Sequence, residues 1–263
     1  MGVYLAFVSM SFRRQFAYRA ANWAGLFTNS FFLFFRAYAL GALFVGREAV
    51  GGMSLEHVVS YITITQALLM VIPQWGTIRL AESVRSGQIA VDMCWPANFF
   101  GMHMSRRMGM SAYYFLTRCL PLCVIGAATG LLHPPAQWWH LLPMLLSVAM
   151  AAWIANSLLF IIEVSAFWME SERGVRMILG GLTNFFSGLI LPLSFFPAWL
   201  EAASRYMPFR YTLNLPAEIY LGRVAGEALW QQLAMQLGWL MALSLLCHGL
   251  FAAGTRKLII HGG

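Results

Sequence analysis

Three ionisable residues, Arg36, Arg118 and Glu163, sit inside long apolar runs of the sequence. A charge there is costly and is kept for pairing, proton handling or an ionic ligand. Position along the runs makes Glu163 the natural counter-ion of Arg118, whereas Arg36 has no evident partner and is expected to face a second subunit or a lipid head group. A second group, Met102, His103 and Met104 with Met93, Cys94, Met108 and Met110 nearby, carries the soft donors that copper(I) takes. The same residues also serve as adaptable apolar filler at a helix entry. Weakly polar side chains form a third group: Thr63, Thr65, Gln66 and Gln74 in one run, Thr183, Asn184 and Ser187 in another. Gln66, Thr183, Asn184 and Ser187 are the candidates for lining a pathway, since such faces suit amphiphiles better than ions.

Several chemistries have no residues to run on. A phosphate-binding Gly-x-x-x-x-Gly-Lys-Ser/Thr loop needs a lysine before a hydroxyl, and the single lysine, Lys257, is followed by Leu258. There is no His-Glu-x-x-His for zinc and no Gly-x-Ser-x-Gly elbow for a serine nucleophile. No carboxylate pair stands out, so no catalytic residue is expected, and no metal site is assigned. Cys94, Cys119, Cys123 and Cys247 fall in or beside apolar runs without framework spacing and are expected to stay reduced.

The elements that position these residues follow from composition. Hydrophobic residues make up 60% and charged residues 10% of the 263, against about 25% charged in soluble domains. Mean hydropathy is +0.67. The expected fold is an all-α integral membrane protein, one domain over residues 1–263. A bilayer core needs roughly 20 apolar residues per helix, and six runs supply them: Trp23 to Val45, Val58 to Ile78, Met108 to Leu131, Leu141 to Phe167, Met177 to Phe196 and Leu229 to Ala253. Before them, Leu5, Val8, Phe12 and Phe16 recur at helical steps beside Arg13, Arg14 and Arg19, the pattern of a basic interfacial helix over about residues 4–19. No small-residue cleavage site follows it, so it is expected to be retained.

With both termini inside, eleven Lys and Arg residues fall on the cytoplasmic side and four (Arg47, Arg205, Arg210 and Arg223) outside. That asymmetry sets the orientation. It also accounts for the net charge of +7 without nucleic acid, because the basic residues sit at the ends of apolar runs rather than in one patch. Two longer connections result. The cytoplasmic one, about 79–107, contains a helix to about Arg85, a break at Gly87, a short helix from Gln88 to Met93 and a stop at Pro96, which presents Arg85, Gln88 and Asp92 to a soluble partner. The outer one, about 197–228, continues a stretch from Phe185 to Arg223 in which prolines stop an apolar helix. It reads as amphipathic, aromatic chain laid back into the interface. Gly126 with Gly130, and Gly181 with Gly188, mark small-residue seams for helix packing.

Two stretches resemble the permease subunits of type-2 ATP-binding-cassette (ABC) exporters, in the six-helix bacterial branch. They are Ser86, Gly87, Gln88 and Ile89 followed by Pro96, and the series Ser187–Gly188, Leu191–Pro192–Leu193, Phe196–Pro197–Ala198–Trp199, Pro208–Phe209 and Pro216 with Ile219–Tyr220–Leu221–Gly222. The resemblance implies a bacterial inner-membrane permease working as a pair, identical or homologous. Each copy docks an ABC ATPase, which uses ATP and Mg²⁺; no cofactor is bound by the permease itself. It puts ATPase coupling at Arg85, Ser86, Gly87, Gln88 and Asp92, and an outer gate at Leu191, Pro192, Phe195 and Phe196. The pathway runs along the subunit interface by alternating access. The lack of a sugar-stacking series favours a hydrophobic or amphiphilic cargo, such as a drug, lipid or peptide-like metabolite. Two other readings stand beside this one: a membrane scaffold or assembly protein with no cargo, and a copper(I) transporter using Met102, His103 and Met104.

Overall fold

A computed structural model of the chain describes residues 2–72, 79–95, 97–135, 137–169 and 171–257. Gln74 and Pro96 lie outside these residues, as do the side chains of Arg85 and Asp92. All helices and no strands are found among the described residues, as lipid requires of a chain that must satisfy its own backbone. Among the described residues, four stretches are long and apolar enough to cross a bilayer: Gly2–Phe44, Phe99–Ala128, Trp138–Phe167 and Gly226–Thr255.

The first stretch joins α1 (Gly2–Arg14) to α2 (Arg19–Gly41) through a tight turn at Gln15–Tyr18. α3 (Leu55–Val71) starts where the Ser54 hydroxyl accepts from the His57 amide at 3.3 Å, an N-cap that satisfies one of its free donors. α4 (Arg79–Arg85) and α5 (Ile89–Met93) are short. The Asn98 side chain caps α6 (Phe99–Tyr114), and a π turn at Phe115–Cys119 carries it into α7 (Leu120–Ala128). Pro121 explains that turn: it has no N–H to give the preceding turn and its ring needs room there, which one wider turn provides. α8 (Leu141–Val164), α9 (Arg173–Phe186), α10 (Ala198–Ser204), α11 (Arg210–Tyr220) and α12 (Gly226–Thr255) follow.

α3 and α8 form the centre. From Val58 to Leu68 every residue of α3 is buried, packed by α2, α7, α8 and α11. α8 is apolar all round, as a helix enclosed by others must be, and it backs onto α11, α12, α6 and α9.

The structure departs from the sequence reading in four places. α1 does not lie alone on the membrane surface but runs along α6: Tyr4 meets Gly101, the Val8 backbone meets Gly109, and Phe12 and Phe16 meet Tyr113. The run from Met177 to Phe196 is not one helix, because α9 ends at Phe186 and Gly188 turns the chain with φ +80°. α11 is no interfacial segment; ten of its eleven residues are buried against α8 and α3. Of the glycine seams, Gly126 does pack on Thr63, but Gly130 (φ +74°) turns the chain just after α7, and a side chain at Gly181 would meet nothing among the described residues.

Candidate functional site

The turn after α9 is gripped by three other elements. Backbone freedom at Gly188 lets the chain reverse, and a Cβ there would run into the Tyr61 hydroxyl. Tyr61, fully buried on α3, places that hydroxyl 3.1 Å from the Gly188 carbonyl and 2.9 Å from Asn214 Oδ1 on α11. From α2, the Arg36 guanidinium donates to the Leu189 carbonyl and, at 2.8 Å, to Gln66 Oε1. Gln66 in turn donates to Asn29 Oδ1 at 2.8 Å. A polar chain thus runs from α2 through α3 to the end of α9.

The outer-gate residues divide between two supports. Phe195 packs on Gly51 and the Ser194 hydroxyl reaches the Met53 sulfur at 3.2 Å, so this part rests on the loop after α2. Phe196 stacks on Phe185 at 4.9 Å and meets Phe186 edge-on, so it rests on α9. Pro192 is buried and Leu191 partly so. Beneath them α11 is fixed: Gln236 of α12 donates to the carbonyls of Ser147 and Tyr211, both at 2.9 Å. Glu218 faces Arg210 and Arg223, each at 3.7 Å, and Arg223 also donates to the Gly52 carbonyl at 2.9 Å. Burial pushes the Glu218 carboxyl above its ordinary value, with Arg210 and then Arg223 opposing the shift.

The four pathway candidates do not come together. Gln66 is enclosed between α2 and α3, and Ser187 is fully buried under the turn. The Thr183 hydroxyl donates to the Leu179 carbonyl of its own helix at 2.7 Å. Thr183 and Asn184 do line a cavity of about 360 Å³ between α8 and α9, with Leu158, Leu159, Ile162 and Gly180. Asn184 Oδ1 is buried and accepts no hydrogen bond from the described residues. Besides the open apolar face of α12, with Trp230, Met241 and Leu245, two exposed faces flank the gripped turn. α2 presents Trp23, Phe27, Phe31, Phe35 and Tyr38, with Phe27 78% and Tyr38 75% exposed; α9 presents Met177, Ile178, Leu182 and Phe185.

The intramembrane charges pair differently from the sequence expectation. Glu163 does not meet Arg118; it meets Arg107 at 2.6 Å and His103 at 3.3 Å. Arg107 and Arg118 would share one face of a regular helix, about three turns apart. The π turn between them rotates Arg118 toward α2, where it donates to Asn22 Oδ1 at 2.7 Å and to the Ala21 carbonyl and lies over Tyr114. Arg36 does have partners within the chain, but both are neutral. His103 is occupied by Arg107 and Glu163, while Met102 and Met104 are buried, Met104 against Phe100 and Phe160. The Met-His-Met group is apolar packing around one histidine with two polar contacts, Arg107 and Glu163.

In the connection between α3 and α6, Ser86, Gly87 and Gln88 are exposed. Gly87 breaks the chain with φ +74°, and Gln88 precedes α5. On either side Leu80 and Ile89 are buried with Phe100, Phe160, Val164 and Cys247. The connection is therefore a docked hairpin of short helices with a polar tip. Sequence reasoning missed Tyr61, Asn214 and Arg107, and weighed His103 as a metal donor or apolar filler rather than as a neighbour of Arg107 and Glu163. A tyrosine amid the apolar run of α3 was the one available signal; the partners of the others lie more than fifty positions away.

Searches among curated proteins and solved structures found no match. The family model described as ABC-2 family transporter protein matches residues 27–262, from α2 through the end of α12. With its helical spans, buried α11 and docked polar hairpin, the chain belongs to the ABC-2 transporter family, as a multi-pass membrane permease of an ABC transporter.

Proposed function

We propose that this permease works as a pair in an ATP-driven exporter, moving a hydrophobic or amphiphilic molecule along the flank between copies that α2 and α9 border. One observation carries this reading. Among the described residues the centre of a single copy is filled, because α11 packs on both α3 and α8 and all three are largely buried, while the aromatic face of α2 and the apolar face of α9 stay open. A route between two copies has walls of the right chemistry. Drugs, lipids and peptide-like metabolites fit such walls.

The ABC ATPase that the family implies docks on the tip formed by Ser86, Gly87 and Gln88, with Arg85 and Asp92 at its edges. It binds ATP and Mg²⁺; the permease contributes position, not catalysis. The gate residues Leu191, Pro192, Phe195 and Phe196 close the outer end, and the site of action is the bacterial cytoplasmic membrane. The pair is identical or made with a homologous second permease.

The test is cross-linking in a cysteine-free background. Phe35→Cys and Met177→Cys, introduced in copies purified with the ATPase, are expected to form disulfides between copies whose yield changes when ATP is added. Absence of both a stoichiometric ATPase and inter-copy disulfides would instead support a scaffold with no cargo.

A further inference from the structure

Arg36 is a guanidinium deep in a membrane helix whose acceptors are all neutral. It donates to the amide oxygen of Gln66 at 2.8 Å and to the Leu189 backbone carbonyl. No carboxylate pairs with it among the described residues, where Glu163, Glu201 and Glu218 pair with other cations. Neutral acceptors orient a guanidinium but do not cancel its charge, and an uncancelled charge in lipid marks a binding site for an ion of opposite sign. Its position is informative. Arg36 stands five residues before Gly41 ends α2, roughly 7–8 Å along the axis, below the head-group level at the end away from Arg13, Arg14 and Arg19. Phe32 and Phe35 are exposed beside it, Ala39 one turn on contributes only a methyl, and Arg36 as a residue is half-buried rather than enclosed. Arg118 differs: it sits beside Ala21 and Asn22 near the start of α2, within reach of the membrane face, and lies over Tyr114.

We infer that Arg36 binds the anionic head group of an amphiphile whose apolar body lies along the phenylalanines of α2. Bidentate acceptance by a phosphate or carboxylate suits the planar donor fork, and the aromatic face accepts chains that a soluble anion lacks. The grip on Leu189 ties an occupied site to the turn after α9, so head-group binding and the outer end of the flank are linked through one side chain. That the amphiphile is the cargo, rather than a bound lipid, rests on the exporter reading above.

The test uses the full permease with its ATPase in phosphatidylcholine nanodiscs. Two fluorescent lipids with identical chains are compared, a phosphatidylglycerol and a phosphatidylcholine, by energy transfer from the protein's tryptophans. The wild type is expected to prefer the anionic probe roughly tenfold, the worth of one charge-assisted hydrogen bond. Arg36→Gln is expected to bind both equally and Arg36→Lys to keep most of the preference. Equal binding by the wild type overturns the inference and requires no variant to fold. So does a preference that survives Arg36→Gln, displacement of the probe by inorganic phosphate, or separation of the paired copies by Arg36→Gln, which would assign the charge to a carboxylate of the second copy. ATP-dependent movement of the probe is read separately: its absence with the preference intact removes the exporter reading and leaves the site standing.

Discussion

Gly188→Ala probes the turn on which the candidate site depends. The left-handed φ of +80° costs an L residue roughly 1–2 kcal/mol. The new methyl also occupies the place of the Tyr61 hydroxyl, which must withdraw from Asn214 Oδ1 and the Gly188 carbonyl. Leaving such buried groups unpaired adds about 1–3 kcal/mol, for a total of roughly 2–5 kcal/mol. Gly130→Ala is the control, since Gly130 has φ +74° and open space where its Cβ would stand; it is expected to cost only the backbone share, about 1–2 kcal/mol. Tyr61→Phe removes the clashing oxygen, so the double variant Tyr61→Phe/Gly188→Ala is expected to be more stable than the two single losses added together. The measurement is SDS-titrated unfolding in mixed micelles on the wild type and the four variants. The reasoning fails if Gly188→Ala is no worse than Gly130→Ala, or if the cycle is additive within about 0.5 kcal/mol.

Other substitutions test other contacts. Glu163→Gln strands the Arg107 guanidinium and is expected to destabilise by about 3–5 kcal/mol; the loss should be coupled to Arg107→Gln in a double-mutant cycle and independent of Arg118→Gln. Gln236→Leu removes the donor that ties the Ser147 and Tyr211 carbonyls together, which keep their own helical partners, and is expected to cost about 0.5–1.5 kcal/mol for each lost hydrogen bond, read as a lower unfolding midpoint, whereas Gln231→Leu on the exposed side of the same helix should change it by less than about 0.5 kcal/mol. Ile89→Asp is expected to undock the hairpin and abolish retention of the ATPase on an affinity column while the permease still inserts; unchanged retention would place the docking surface elsewhere. Gly87→Pro, which changes the exposed tip and not its buried flanks, is expected to keep the ATPase bound but uncouple hydrolysis from transport, measured as basal ATPase activity that no longer responds to substrate.

Where hydrophobic periodicity was long and uninterrupted, the sequence located its helix well: Leu141 to Phe167 and Leu229 to Ala253 fall within α8 and α12 with little error. The same reading failed at α11, because Arg210, Thr212, Asn214 and Glu218 look like the solvent-facing half of an amphipathic helix. Their partners decide otherwise. Asn214 meets Tyr61, Glu218 meets Arg210 and Arg223, and Gln236 takes the Tyr211 carbonyl. A polar residue satisfied from 153 positions away is indistinguishable in sequence from one satisfied by water. The Glu163 partner was misread for a related reason: depth alone favoured Arg118, and only the π turn before Pro121, a local change of helical phase, sends that arginine to α2 instead. At the tip of the hairpin, by contrast, Gly87 and the exposed Ser86 and Gln88 were legible, since a glycine between two short helical patterns is a local signal.

The distribution of these bonds says which part of the molecule is free to move. α3, α8, α11 and α12 are tied to one another by buried side-chain hydrogen bonds, Tyr61 to Asn214 and Gln236 to both Ser147 and Tyr211. Breaking any one strands a polar group away from water, so these helices move together or not at all. α9 leans mainly on α8 across a partly empty groove, and the turn that follows it is restrained from outside by Arg36, Tyr61 and Asn214. In the exporter proposed above, α9 is the wall expected to swing, with Gly188 as its hinge. The outer segment that follows is a fixed floor rather than a lid, because α11 beneath it is already part of the core. A swing of α9 about Gly188 carries Phe185 with the helix, whereas Phe195 and Phe196 follow the hinge and stay with the outer segment that rests on Gly51, so the contact that opens is the Phe185–Phe196 stack.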